Sequence, residues 1–367
     1  MKFSQSAVYT LTHRVRLLLL LSLLMTLAIP GVPQTQNLPP PKNPDTGPQT
    51  NSDEGAGPAI RDRTKRADDD SNPVETLKVN VDVVNLLFNV KDKTGHLIPN
   101  LDKNEFDVSE DGKPQNIKYF KAESNLPLTI GILLDTSFSQ DRVLPIEKEV
   151  GAQFLQQMLR KEDEAFLISF DVNVDLLQDY TNSPRDIRRG MDSAKINGGG
   201  VVGGIPGIGQ GPVPIGTPKG TLLYDAVYLA THDKLRNEVG RKAIILLTDG
   251  EDQGSQLKLQ DALEAAQKAD TILYTLLISD RGVAMGTGEG LMKKLCEETG
   301  GRVINVGNNQ QKLQKAFDQI SEELRSQYSI GYTPTNPKHD GTYRKVDVRT
   351  KEGYKVQARK GYYAAAS

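Results

Sequence analysis

What the chain lacks narrows its chemistry first. One cysteine, Cys296, leaves no partner for an intramolecular disulfide. A lone thiol in a Leu-Cys helical pattern is expected to be buried and inert. Lys and Arg total 45 against 47 Asp and Glu, so no basic excess points to nucleic acid as a partner. The four histidines are few for nucleophilic catalysis. His96 and His339 fall in turns of β-patterned regions, and His232 falls late in a helical pattern, where a surface position is expected. Neither a G-x-S-x-G elbow nor a G-x-x-x-x-G-K-[ST] phosphate loop is present.

Long apolar runs are also scarce. The stretch LLLLLSLLMTLAI follows Lys2, Arg14 and Arg16 and covers 13 residues, 17–29, whereas a spanning helix needs about 20. An export signal over residues 1–34 is the expectation, with an uncleaved N-terminal anchor as the alternative. No cysteine follows the run, which excludes lipoprotein anchoring. Removal of the segment changes the net charge from −2 to −2 − 3 = −5, and a secreted or periplasmic location is expected. Residues 35–73 are rich in Pro, Asn, Asp, Gly, Gln and Thr without an apolar period, as in a flexible linker.

The remaining chain changes period twice. From 74 to 125 the pattern is β, with Val79, Val81 and Val83 alternating before a one-residue slip to Val84, Leu86, Phe88 and Val90. Such a slip predicts a bulge or a strand that changes sheets. KTG at 93–95 and EDGK at 110–113 are turn signals, and EFDVSEDGKPQNIKYF reads as a hairpin. From 126 to 326, apolar runs (128–134, 165–170, 243–248, 271–278, 302–306) alternate with helical stripes. Val143, Ile146, Val150, Phe154 and Met158 form one stripe; Leu313, Phe317, Ile320 and Leu324 form another. This predicts an α/β fold: a doubly wound, mostly parallel open sheet, with 172–177 as an antiparallel edge strand. From 327 to 367 the β alternation returns in three runs, with eight Lys or Arg, three acids and half of the twelve Tyr. These Tyr, Tyr343 among them, are expected to pack inside a strand face whose Lys345, Asp347 and Arg349 point out. Seven strands from the two flanks together predict a small β-sandwich into which the α/β region is inserted.

The chemistry concentrates in GILLDTSFSQ, residues 131–140. Asp135 ends the first strand of the α/β region, where open sheets of this type bind ligands. A catalytic nucleophile, a phosphate site and a metal site could each look like this. Two further strand ends matter: AIILLTDGED carries Asp249, and PKGTLLYDAVYLA places Thr221 at a helix start, where it could simply cap the helix. The ordered set D-x-S-x-S, helix-initial Thr and strand-final T-D-G-E-D resembles the von Willebrand factor type A domain and its metal-ion-dependent adhesion site. The resemblance covers residues 127–326. The EDG-type β segment before it and the tail GYTPTNP…GYY resemble a secreted von Willebrand factor A-related family found mainly in acidobacteria.

The resemblance implies a cation held by Asp135, Ser137, Ser139, Thr221 and Asp249. The oxygen donors suit a hard ion such as Mg²⁺, with Mn²⁺ or Ca²⁺ as alternatives. Neutral hydroxyls dominate this set, so the ion would stay electrophilic and take an Asp or Glu carboxylate from a partner protein. The expected function is therefore binding or adhesion. A structural scaffold whose metal only orders loops is the alternative. A hydrolase lacks a positioned base, and an aspartyl-phosphate site would want an Asp where Ser137 stands. Near the site, Asp141 is expected to be a solvated loop acid. Asp252 and Glu251 are expected to tune the potential or cap a helix near Ser255. Residues 198–220 hold ten of the 33 Gly and are expected to form an insertion shaping the partner surface.

Overall fold

Period-two strands and continuous apolar strands fold here into separate layers. The computed structural model describes residues 83–122, 126–196, 220–278 and 287–366, within a unit spanning Thr76–Ser367. The expected export signal and linker, Val79, Val81, and residues 198–219 of the Gly-rich segment lie outside the described residues.

Strands β1 (Val84–Lys91), β2 (Phe106–Glu110), β3 (Lys113–Gln115) and β4 (Ile117–Ala122) come from one flank. Strands β11 (Tyr328–Tyr332), β12 (Tyr343–Thr350), β13 (Lys355–Ala358) and β14 (Gly361–Tyr363) come from the other. They pair as two antiparallel four-stranded sheets, β13-β1-β11-β4 and β14-β12-β2-β3, so each sheet mixes both flanks. Leu86, Phe88, Val108, Ile330, Val346 and Val348 fill the space between them. Buried Glu110 accepts hydrogen bonds from the Tyr332 and Tyr362 hydroxyls, each at 2.9 Å, and pairs with buried Arg344 at 3.6 Å.

Three expectations change in detail. The sandwich has eight strands, because the last run divides: β13 pairs with β1 in one sheet and β14 with β12 in the other. The slip expected at Val83 and Val84 has its first half, Val79 and Val81, outside the described residues; a register shift occurs between Gly331 and Tyr332 on β11, opposite Tyr119 and Ile117 of β4. The predicted hairpin is β2–β3 alone, turning at Asp111 and Gly112 with φ of 47° and 78°; the chain then crosses to the other sheet as β4. On β12, Arg344, Val346 and Val348 face inward while Tyr343 is 38% exposed. Tyr343 and Val346 are three residues apart and cannot share a face of period two.

Between the flanks lie β5 (Leu128–Asp135), β6 (Glu164–Phe170), β7 (Val174–Thr181), β8 (Arg241–Thr248), β9 (Thr271–Leu277) and β10 (Val303–Asn305). Their order is β10-β9-β8-β5-β6-β7, parallel throughout except for the antiparallel edge strand β7. Helices α1 (Leu144–Met158), α2 (Pro184–Ser193) and α6 (Gln310–Arg325) cover one face, where Val150, Phe154, Met191 and Phe317 meet Ile130 and Ile132. Helices α3 (Leu223–Leu229), α4 (Leu259–Lys268) and α5 (Thr287–Thr299) cover the other, where Val227, Ala266 and Cys296 meet Leu133 and Ile244. This is the doubly wound α/β architecture expected from the alternating periods. Strand order reverses between β5 and β8, so their carboxyl ends flank the switch point where such sheets bind ligands.

Candidate metal centre

Asp135 is the last residue of β5 and fully buried. Its Oδ1 accepts the backbone N–H of Ser137 at 3.0 Å, and its Oδ2 accepts the hydroxyl of Thr248 at 2.6 Å. Burial, helped by the negative charge of Asp249, pushes the carboxyl up to about 7 against the opposing hydrogen bonds of Ser137 and Thr248. A cation beside it would favour the ionised form. The half-buried Ser137 and exposed Ser139 bring their hydroxyl oxygens to 3.0 Å of each other. Asp249 follows β8 directly and is half-buried; its Oδ1 accepts the N–H of Glu251 at 3.1 Å, one loop turn beyond.

Thr221 reaches this end of the sheet through its backbone. It exchanges two hydrogen bonds with Gln253, at 3.1 and 3.0 Å, in the loop that carries Asp249. The next residue, Leu222, donates to the Asp171 carbonyl at 2.8 Å, and the Asp171 carboxylate accepts the Thr136 hydroxyl at 2.7 Å. Thr221 is thereby stitched to the β8 loop on one side and the β5 loop on the other. It does not cap α3, whose N-cap is Leu222. The capping group is Asp252: its Oδ1 accepts Leu223 N at 3.1 Å, Tyr224 N at 3.3 Å and the Ser255 hydroxyl at 2.5 Å. The helix that follows Ser255 begins at Leu259, so Asp252 serves α3 instead of the helix expected for it. Asp141 is exposed, as expected of a loop acid.

Two groups behind the loop escaped sequence reasoning. Thr248 both fixes Asp135 and accepts the Gly250 N–H at 3.0 Å. Glu147, in the first turn of α1, is fully buried and neither of its oxygens has a hydrogen-bond partner among the described residues. A signal existed for Glu147: it stands in the stripe of Val143, Val150 and Phe154, where an apolar side chain belongs.

The donor set can be tested on its chemistry. Among the described residues no three His, Cys, Asp or Glu side chains gather to hold a metal, so any ion here depends on hydroxyls. Three hydroxyls and two carboxylates are hard oxygen donors of the kind Mg²⁺ takes, and soft or imidazole ligands are not among them. His232 is exposed, stacks on Tyr228 with ring centroids 5.0 Å apart and bonds Asp233. Burial pushes the Cys296 thiol up to about 12, which makes it inert.

No family model matches the chain, and no curated protein matches it. Among solved structures, proximal thread matrix protein 1 from the mussel byssus is similar over 66% of this chain and 50% of its own length, at 13% identity and a TM-score of 0.42. The chain thus spans about half the length of that protein. BatB from Bacteroides thetaiotaomicron is similar over 55% of this chain and 97% of its own, at 20% identity and a TM-score of 0.39. The vWF domain of the pilus tip protein Mfa5 from Porphyromonas gingivalis is similar over 54% and 94%, at 12% identity and a TM-score of 0.40. The assignment of fold rests on the chain's own strand order. A parallel sheet with one antiparallel edge and D-x-S-x-S closing its central strand β5 is a von Willebrand factor type A-like fold.

Proposed function

We propose that the chain is a cation-dependent protein-binding module. In this reading Asp135, Ser137, Ser139, Thr221 and Asp249 hold one divalent ion, Mg²⁺ in the first instance, at the switch point of the sheet. The observation that carries it is the junction of three loops around Asp135, a buried carboxyl with hydroxyls and a second acid as neighbours and, among the described residues, no basic side chain paired to it. Asp135 and Asp249 supply charge; Ser137, Ser139 and Thr221 supply neutral oxygens. When bound, such an ion offers an electrophilic position that an Asp or Glu carboxylate of a partner protein can complete. Phe138, 75% exposed between the two serines, supplies an apolar contact beside that position. The division into an α/β module (126–326) and a sandwich (74–125 with 327–367), and export of the chain, belong to the same proposal. Among the described residues no helix is long and apolar enough to cross a membrane.

Thermal melting of wild type and Asp135→Ala during Mg²⁺ and Mn²⁺ titration tests the site. At a cation concentration of 100 times Kd, wild type should gain about 2.7 kcal/mol, and the variant nothing. Absence of cation-linked stabilisation in wild type would sink the reading. Partner capture that EDTA leaves unchanged would instead favour a scaffold whose metal only orders loops.

A further inference from the structure

Glu147 has no evident reason to be where it is. It sits one turn into α1, on the face that packs against the sheet, with no accessible surface. Neither carboxyl oxygen has a hydrogen-bond partner among the described residues. The side-chain charges acting on it are those of Asp135 and Asp249, both negative. A buried carboxyl with no donor and two like-charged neighbours is a costly arrangement, and the helix N-terminus supplies only a partial positive charge. A second buried acceptor precedes the helix. Gln140, at the end of the short turn Phe138–Gln140, is 1% exposed and its Oε1 is likewise unpartnered among the described residues. Its Nε2 donates to Ser139 Oγ at 3.4 Å, and its backbone carbonyl accepts the N–H of Val143, whose own carbonyl accepts Glu147 N. Backbone hydrogen bonds thus link Glu147 through Val143 and Gln140 to Ser137 of the D-T-S-F-S loop, and three buried side-chain oxygens along that path have no donor among the described residues. Buried acceptors left without donors fit a cation or the water that a cation carries.

We propose that Glu147 is an outer carboxylate of the cation site, a positioning residue that acts on the ion through its water and its charge and does not ligate it directly. Direct ligation is disfavoured because Asp135, Asp249 and Glu147 do not gather closely enough to hold one metal between them. An octahedral hard ion keeps several waters, and a water on the buried side of the ion needs acceptors there. Glu147 and Gln140 are the acceptors.

This inference rests on the cation reading of the same site, and its test separates the two. Calorimetric titration of Mg²⁺ and Mn²⁺ into the full chain is run on wild type, Glu147→Gln and Glu147→Leu, with melting curves recorded in EDTA. Loss of an outer-shell acceptor should weaken affinity by about 10–100-fold. Both variants should show that loss, while Glu147→Leu melts in EDTA at or above the wild-type temperature because an unpaired buried carboxyl is gone. If wild type binds and both variants bind equally well, Glu147 acts only on the helix or the core, and the proposal fails while the site stands. If wild type binds no cation, both fail. Should Glu147→Leu not fold, the near-isosteric Glu147→Gln decides on affinity alone.

Discussion

At the scale of single residues, the site depends on what holds Asp135 as much as on Asp135 itself. The Thr248 hydroxyl donates to Asp135 Oδ2 at 2.6 Å and accepts from Gly250 N. Thr248→Val keeps the shape and removes both bonds, leaving a buried N–H without an acceptor. Loss of about 1–3 kcal/mol is expected, together with weaker cation-linked stabilisation, and urea melts with and without Mg²⁺ read both. Unchanged stability would show that the loop is held elsewhere. The same residue shows where sequence reading stopped. Asp135, Ser137 and Ser139 were legible because three oxygen-bearing side chains end an apolar strand in one short loop. Thr248 was not, since Thr at a strand end is ordinary, and its value comes from the parallel register that places it across from Asp135. Glu147 was half-legible. Its neighbour Glu149 is a surface acid bound to Arg188 at 2.6 Å, and only its place in the apolar stripe distinguishes Glu147.

At the scale of elements, the apolar runs predicted β5, β6, β8 and β9 because burial on both faces leaves a continuous signature; β10, at the sheet edge, and the striped helices α1 and α6 were also read from their apolar residues. What the runs could not show is how a helix start is closed. Helix α3 continues directly into the π-helical turns Ala230–Leu235, and its N-terminal N–H groups are taken by Asp252 and Ser255 from the β8 loop. Asp252→Ala should cost about 1 kcal/mol, read as a lower urea midpoint. It should also loosen Thr221, which the same loop pins through Gln253. Packing within the sheet sets a second limit. A methyl group on Gly131, in the middle of β5, would lie 2.5 Å from the ring of Phe166. Gly131→Ala should therefore destabilise by about 1–3 kcal/mol, and a wild-type melting temperature in that variant would mean that the ring swings away freely. The division of the last run into β13 and β14 was illegible for a related reason: period-two alternation continues across a change of sheet.

At the scale of the molecule, the inserted arrangement could be read from arithmetic, since neither flank has enough strands for a closed sandwich. The fastening between sandwich and α/β layers could not, because it assembles residues far apart in sequence. Glu323 at the end of α6 is 3% exposed. It pairs with Lys91 of β1 at 2.9 Å and with Arg302 at 2.7 Å, and it accepts from Gln357 of β13 at 3.1 Å. Burial alone would raise its pKa, but the charges and hydrogen bonds of Arg302 and Lys91 outweigh burial and hold it below the ordinary 4.5. A carboxyl depressed in the folded state contributes stability that is present above its unfolded value and lost as pH falls through the folded one. Glu323→Gln leaves Lys91 and Arg302 without their anion and should cost about 3–5 kcal/mol at neutral pH. Wild type loses that advantage on acidification below 4.5, whereas the variant has none to lose. Urea melts at about pH 7 and about pH 3 should therefore show the gap between the two proteins narrowing toward acid. A gap that stays constant would mean that Glu323 holds the layers by shape and hydrogen bonding and that its charge contributes nothing. Because Lys91 and Gln357 belong to the sandwich and Glu323 to α6, wild type is expected to unfold in one transition and the variant in two, one for each layer.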